Sequence, residues 1–335
     1  VNRNAPFLLK RILAISALMI LLLAVAGFLG ISMGSAGGGP DAVLQSLLGE
    51  KVDDMATTII WRIRLPRVFL ATLVGATLSL GGLVFQALLR NPLAEPYILG
   101  ISGGSAVGAI IGILMGLSRF PGVGLAAFGG SMATLGLILV MSSAQTILRK
   151  DSLLLSGVMV NAFCAAVIMF LVSLTQDSRL HNIIFWLMGD LSMADLSQVG
   201  ILALTIFPCF VLLFWLSNTM NLLLMGKEMA QTMGVNVKAV TMTLLVVTSF
   251  MVSATVSHCG LLGFVGLVMP HLLRLVLGPD HRLLVPACVL GGGAYMVLCD
   301  LLARILPQQG EMPAGVVTAM IGAPLFIFLL KRSRR

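Results

Sequence analysis

Residues 12–31 read ILAISALMILLLAVAGFLGI, a run without a single charge. About 20 apolar residues in an α-helix cross the roughly 30 Å hydrocarbon core of a bilayer, so this run is long enough to span one. Lys10 and Arg11 precede it, a flank that would also suit a secretory signal. The run exceeds the roughly 7–15-residue apolar core of a signal peptide, which favours a retained span. The same reading, carried along the chain, gives further candidate spans at 66–89, 97–117, 122–148, 153–174, 195–217, 239–257, 261–277, 283–303 and 313–331, with the first at 8–31. Three longer connectors separate them, at 32–65, 175–194 and 218–238; the first holds Gly37-Gly38-Gly39-Pro40 and Asp53-Asp54.

Composition agrees. Of 335 residues, 58% are hydrophobic and 10% charged, with a mean hydropathy of +1.05. A soluble domain carries about 25% charged residues, so a soluble enzyme and a disordered chain are both excluded. A membrane β-barrel is disfavoured, because its lumen-facing residues would keep hydropathy low. The expectation is an all-α polytopic membrane protein of about ten transmembrane helices, with residues 1–335 forming one membrane domain. The 36 glycines and 20 methionines suit closely packed membrane helices. The five cysteines are scattered and show no C-x-x-C pair, so they indicate neither a disulfide framework nor a metal site.

Ten spans would put both termini on one side. That side then carries thirteen lysines and arginines against four acidic residues, and the other side seven against nine, with Arg274 inside a span. The bias of basic residues predicts cytoplasmic termini and an inner (plasma) membrane location. It also accounts for the net charge of +8 without nucleic acid.

No catalytic motif is visible. The one Gly-Lys pair, Gly226-Lys227, has Asn221 where a P-loop needs its first glycine and Glu228 where it needs Ser or Thr. His181, His258, His271 and His281 are dispersed. Uphill work would therefore draw on a partner or an ion gradient. The cytoplasmic stretch 218–238 is the best pointer to a partner. Glu228, Ala230 and Gly234 fit an E-x-A-x-x-x-G pattern, which reads as a short helix closed by a left-handed glycine. Leu224, Met225, Met229 and Met233 would give it an apolar face for a partner's groove, or for the lipid surface.

Several blocks follow in order: Arg64-Leu65-Pro66-Arg67, Gly75-Ala76-Thr77-Leu78, Gly82-Leu83-Val84-Phe85-Gln86, and Asn91-Pro92-Leu93-Ala94-Glu95-Pro96 with Leu99-Gly100. Later come Gly263 through His271 with Arg274, then Asp280-His281-Arg282, Asp300 with Arg304, Glu311 through Thr318, and Gly322-Ala323-Pro324. On these blocks, spread over most of residues 60–330, the chain resembles the permease subunit family of ATP-driven importers for iron–siderophores, haem and vitamin B12. The resemblance implies a type II importer permease architecture and a homodimer with the translocation path at its centre. It implies two ATP-binding cassette subunits that bind ATP and Mg, and a periplasmic or lipid-anchored substrate-binding protein on the other side. This chain would itself hold no cofactor, no metal and no catalytic residue.

The resemblance also implies roles. Gly226, Glu228, Ala230 and Gly234 would couple to the ATPase. Asn91 and Leu93 would form one part of an inner gate, with Asp151 and Ser152 in the following cytoplasmic turn as the other. Arg64, Arg67 and Arg304 would dock the binding protein. Two positions depart from the family pattern: Lys227, where the coupling loop often has an acidic residue, and Ala314, where a larger aliphatic is common.

The residues themselves allow simpler readings. Asn91-Pro92 and Glu95-Pro96 cannot continue a helix and predict a tight cytoplasmic turn. His271, beside the helix-bending Pro270, would either line a path or be satisfied by a neighbouring carbonyl. Arg274 would snorkel to the cytoplasmic interface. Asp300, Arg304 and Glu311 would pair near the outer face, where ion pairs contribute little. Met159, Met169, Met188 and His181 would face a haem or corrinoid, or simply pack between helices. The rival function is a proton- or sodium-coupled secondary transporter, which also uses broken helices near the midplane; few acidic residues lie within the spans here. An intramembrane enzyme would need paired catalytic residues at depth, and none is seen.

Overall fold

The computed structural model describes residues 5–34, 40–47, 54–143, 150–175, 177–307 and 310–333. The expectations that fell on Gly37–Gly39, Glu50, Lys51, Asp53 and Arg149 lie outside the described residues. Those described are helical almost throughout and contain no strand. Helix α1 is Ala5–Ser32, α2 Pro40–Leu47 and α3 Asp54–Thr58; a wide π-turn over Ile59–Arg64 carries α3 straight into α4, Leu65–Leu89. A 3₁₀ turn at Pro96–Leu99 precedes α5, Ile101–Leu114, and a second wide turn at Arg119–Val123 leads into α6, Gly124–Ser143. Then follow α7 (Lys150–Ser173), α8 (Asp177–Met188), α9 (Leu196–Trp215), α10 (Ser217–Met225), α11 (Lys227–Thr232), α12 (Val237–Cys259), α13 (Val265–Leu277), α14 (His281–Ile305) and α15 (Ala314–Ser333).

Each expected span coincides with an apolar helix, but not with equal length. Among the described residues, seven helical stretches are long and apolar enough to cross a membrane: 8–32, 54–89, 119–141, 152–173, 196–215, 237–259 and 281–305. Ile101–Leu114, Val265–Leu277 and Ala314–Phe328 are shorter. The backbone explains two of the three. Pro96 opens a tight turn and Gly100 sits at φ 70°, so α5 begins four residues later than hydropathy predicts. Gly260 (φ 73°) and Phe264 (φ 67°) delay α13 in the same way. At 1.5 Å per residue α5 and α13 are each about 20 Å long, well short of the hydrocarbon core. The connectors are also more helical than expected: α2 and α3 occupy part of the first, α8 the second, α10 and α11 the third.

Helix α4 is the hub. It packs against α12, α13 and most extensively α14, while α1 lies along α14. In the most apolar window of α4, 83% of residues are buried; in that of α1 only 6% are. The α4–α14 contact is made backbone to backbone. A Cβ on Gly75 would overlap the Gly292 carbonyl, and one on Gly82 would overlap the Gly266 carbonyl of α13. Small residues let membrane helices approach this closely, and dispersion and weak polar contacts then hold them. Helices α5, α6 and α7 form a second packed group. Large apolar side chains on α1, α7 and α9, among them Leu13, Phe163, Met169, Leu204 and Trp215, point out of the protein. A surface this apolar requires lipid or a protein partner.

Candidate functional site

The first functional cluster lies at the Leu65 end of α4. Arg67 donates through Nε to Asp300 at 2.9 Å and through Nη1 to Glu311 at 2.5 Å. Arg304 approaches the other Asp300 oxygen at 3.1 Å. The Arg67 and Asp300 side chains are only 4% and 1% exposed, whereas Glu311 is 37% exposed. Arg304 also donates to the carbonyls of Gly30 (2.9 Å) and Met33 (3.2 Å), and Arg64 to those of Ile31 (2.9 Å) and Ser32 (3.3 Å). The carbonyls of Gly30, Ile31 and Ser32 belong to the last turn of α1, where a helix leaves its final carbonyls without intrahelical N–H donors, and Met33 follows directly. Two guanidinium groups thus cap α1 and meet the negative end of its dipole.

This corrects the expectation of weak surface pairs for Asp300, Arg304 and Glu311. The sequence places them near a helix end, but α1, α4 and α14 converge there and bury Asp300 and Arg304, while Glu311 stays exposed at the rim. A buried ion pair is held by its hydrogen bonds and leaves a costly unpaired charge if one partner is removed. Arg64, Arg67 and Arg304 are brought together as expected, but they are engaged within the chain. Together with Gly34, Ile59, Ile63 and Glu311 they line a cavity of about 170 Å³.

The second cluster lies at the Leu89 end. Helix α10 stops at Gly226 (φ 130°), and α11 follows with Glu228 in its first turn and Ala230 fully buried. Gly234 stands at φ 83°. Its N–H donates to the Gln231 carbonyl at 2.9 Å, and the Val235 N–H to that of Ala230 at 3.0 Å. This pair of bonds is the Schellman closure, and only glycine enters the left-handed region there without strain. Leu224, Met225, Met229 and Met233 are all exposed, Met229 and Met233 by 46% and 58%.

Helix α10 is tied to its neighbours by polar contacts that the sequence did not suggest. Arg90, left-handed at the end of α4 (φ 49°), donates to the Leu223 carbonyl at 2.5 Å. Asn221 donates to Asp280 at 2.8 Å and accepts from the His281 N–H at 2.9 Å; His281 Nδ1 lies 2.9 Å from the same oxygen. Asp280 caps α14 by accepting the Arg282 N–H and pairs with the Arg282 guanidinium at 2.7 Å. Burial alone would raise the Asp280 carboxyl, but the bonds from Arg282 and Asn221 hold it down to about 2.

Beyond Arg90 the chain makes the expected tight turn. The Leu93 N–H donates to Asn91 Oδ1 at 2.9 Å, and the Ala94 N–H to the Asn91 carbonyl at 3.0 Å. Leu93 is exposed. The turn then runs back into the protein. Glu95 accepts the Phe264 N–H at 3.0 Å, and the Tyr97 hydroxyl bridges the Leu262 carbonyl and N–H at 3.1 and 3.2 Å. The two broken helix pairs, α4–α5 and α12–α13, are thereby stitched at their breaks. Asp151 and Ser152 were expected in a turn; they lie instead in the first turn of α7, because that helix already includes Lys150. Gly157 of α7 packs on the 96–99 turn, so both expected gate elements belong to one corner of the molecule.

Two further expectations are revised. Arg274 does not simply snorkel: it donates to Gln86 Oε1 at 3.0 Å, and Gln86 donates to the Gly266 carbonyl at 3.2 Å. His271 finds no carbonyl for Nε2 among the described residues, and its ring stands edge-on to Phe326. Met159 and Met169 are exposed on α7 and do not pack between helices of this chain. His181 lines a cavity of about 540 Å³ with Phe185 and Trp186. There Arg119 pairs with Asp190 at 2.7 Å. Burial opposes the charge on Asp190, yet the bonds from Arg119 and Ser192 hold its carboxyl below the usual range.

Known proteins resemble the chain over most of its length. Residues 21–332 match the FecCD transport family. The vitamin B12 import system permease protein BtuC of Salmonella arizonae is 38% identical over 289 residues, covering 86% of this chain and 87% of its own. The uncharacterized ABC transporter permease protein YvrB of Bacillus subtilis is 39% identical over 327 residues, 93% of this chain and 92% of its own. A solved "metal-chelate type ABC transporter" in an inward-facing conformation superposes with a TM-score of 0.85 at 30% identity, covering 95% of this chain and 99% of that one.

Proposed function

The chain belongs to the FecCD transport family, and we propose that it is the membrane permease of an ATP-driven importer that moves a metal chelate inward by alternating access. Iron–siderophore, haem and cobalamin fit the class. The B12 permeases among its relatives put a corrinoid first. The permease works as a homodimer in the inner membrane with both termini cytoplasmic. Two separate ATPase subunits bind ATP and Mg below it, and a binding protein delivers substrate above.

The observation that carries this reading is the α10–α11 segment. Two short helices, the second with a glycine closure, hold one leucine and three methionines in the open along this segment, on the side with the larger basic excess. Methionine-rich exposed faces suit a groove on a partner. Gly226, Glu228, Ala230 and Gly234 shape that segment, and ATPase closure acts through it on the helices above. Asn91, Leu93 and Ser152 form the inner gate together with Asp151. At the other end Arg64, Arg67 and Arg304 receive carboxylates of the binding protein through the cavity at Glu311, so Glu311 competes with the partner for Arg67. Glu311→Gln is therefore expected to tighten binding-protein association at low salt by about two- to tenfold, the range of one exposed pair to one charged hydrogen bond. Unchanged or weaker association would place docking elsewhere. Uptake of cyanocobalamin, haem and a ferric siderophore by proteoliposomes holding the whole complex, with ATP present, tests the function and ranks the substrates. Transport of none of them would refute the chelate class.

A further inference from the structure

Four observations concern one pair of helices. Midway, α4 and α14 touch at Gly75 and Gly292, where a Cβ on either glycine would overlap the other's carbonyl and the Met296 or Ser79 side chain beside it, so one helix has no room to slide on the other. At one end Arg67 of α4 is bonded to Asp300 of α14, both buried, with Arg304 on the same carboxylate. At the other end α10 is fastened to both helices. Arg90 at the end of α4 holds the Leu223 carbonyl, and Asn221 holds the cap of α14 through Asp280, the His281 N–H and the His281 ring. Helix α10 then runs through Gly226, where nothing crowds the backbone, into α11.

We propose that α4 and α14 move as one lever between the ATPase side and the binding-protein side, and that Asn221 is the positioning residue that fastens the coupling segment to it. This rests on the reading of residues 218–238 as the ATPase contact. The lever follows from the restraints. A pair fixed at both ends and closed in the middle cannot absorb a push by slippage, since slippage would separate Asp300 from Arg67 and leave buried charges unpaired. Close-packed helices shift as bodies between discrete arrangements. The Asn221 side chain is suited to the fastening because one amide supplies both senses. Its nitrogen donates to Asp280 and its oxygen accepts from His281, so α10 cannot rotate or slide on the α14 cap without losing both. The coupling so carried is reciprocal: binding protein on one side changes the ATPase on the other.

The test uses the complete complex in proteoliposomes, permease with its ATPase and binding protein. Asn221→Leu keeps the size of the side chain and removes every bond. It is expected to lower substrate moved per ATP hydrolysed by about tenfold or more and to abolish stimulation of ATP hydrolysis by the binding protein, since bonds to a charged partner are lost. ATPase subunits should still co-purify and hydrolyse ATP at the basal rate. Leu204→Ala, an exposed position on α9 outside that segment, should behave as wild type. Asn221→Asp should be impaired, because it sets two carboxylates together; combined with Asp280→Asn, which exchanges donor and acceptor while keeping a good helix cap, it should regain coupling. Unchanged coupling in Asn221→Leu overturns the proposal. Loss of ATPase co-purification also overturns it, since Asn221 would then shape the docking surface only. If Asn221→Leu does not assemble, the single Asn221→Asp and the exchanged pair decide: equal activity in both overturns the fastening role. A wild-type complex with no ATP dependence would refute the ATPase reading itself, a separate result.

Discussion

At the Leu65 end of α4 three arginines and an aspartate lie inside the protein, while at the Leu89 end a leucine and three methionines lie outside it. Each end inverts the ordinary distribution of side chains, and for a different reason. The buried charges are paired: Arg67 and Arg304 share Asp300, Glu311 balances the second positive charge, and Arg64 and Arg304 also close the end of α1. Among the described residues nothing covers the exposed apolar side chains. One end is a buried joint with Glu311 exposed at its rim, the other an open surface. A substitution at a buried member of the joint should therefore cost stability, while one at Glu311 or at the open surface should act on association.

The sharpest contrast comes from Asp300→Asn. It leaves two buried arginines short of charge and is expected to destabilise the permease by about 3–5 kcal/mol, seen as a large drop in thermal midpoint in detergent. A midpoint within a degree or two of wild type would mean the joint is not what holds α1, α4 and α14 together. Next is Gly234→Val. A β-branched residue at φ 83° costs about 1–2 kcal/mol of local strain, enough to disturb the Schellman closure but not the fold. ATPase coupling should fall while the thermal midpoint stays close to wild type; normal coupling would remove α11 from the energy path. The double change Met229→Ala, Met233→Ala should shift stability by less than about 0.5 kcal/mol, since both side chains are exposed. Its effect should be on ATPase-subunit affinity, lowered about tenfold, as for a loss of anchor residues. A loss of stability without loss of affinity would reverse the contrast between the two ends.

The smallest effect concerns pH. Asp280, held down to about 2 in the folded protein, ionises near 3.9 when unfolded. Its contribution is complete above the unfolded value and is lost as the pH falls through about 2. The difference in thermal midpoint between wild type and Asp280→Asn should accordingly be constant from pH 5 to pH 9. A drift across that range would show that the carboxylate titrates within it and that the Asn221 bond is weaker than the geometry implies.

The two ends also differ in how far the sequence reveals them. Gly234 was legible because a left-handed closure leaves a local mark: one glycine, six residues past the glutamate that opens the E-x-A-x-x-x-G pattern. The apolar runs likewise located every long helix. The arginine joint was not legible. Arg67 and Asp300 stand 233 positions apart. An arginine that anchors to lipid headgroups and one that caps a buried helix look the same in a linear sequence. The truncated α5 and α13 escaped notice because hydropathy does not register a backbone at positive φ, and Phe264 is not a residue expected there. Glu95 and Tyr97 stitch that break across more than 160 positions, and the Asn221 clamp spans about 60, so neither leaves a local mark.

Work done by ATP is expected to enter at the Leu89 end. The direct measurement is cyanocobalamin uptake by proteoliposomes containing the permease, its ATPase subunits and its binding protein, with proton and sodium gradients collapsed. Uptake should require ATP on the ATPase side, continue without any ion gradient, and fall in Gly234→Val. Uptake that proceeds without ATP and follows an imposed proton or sodium gradient would show a gradient-driven transporter instead.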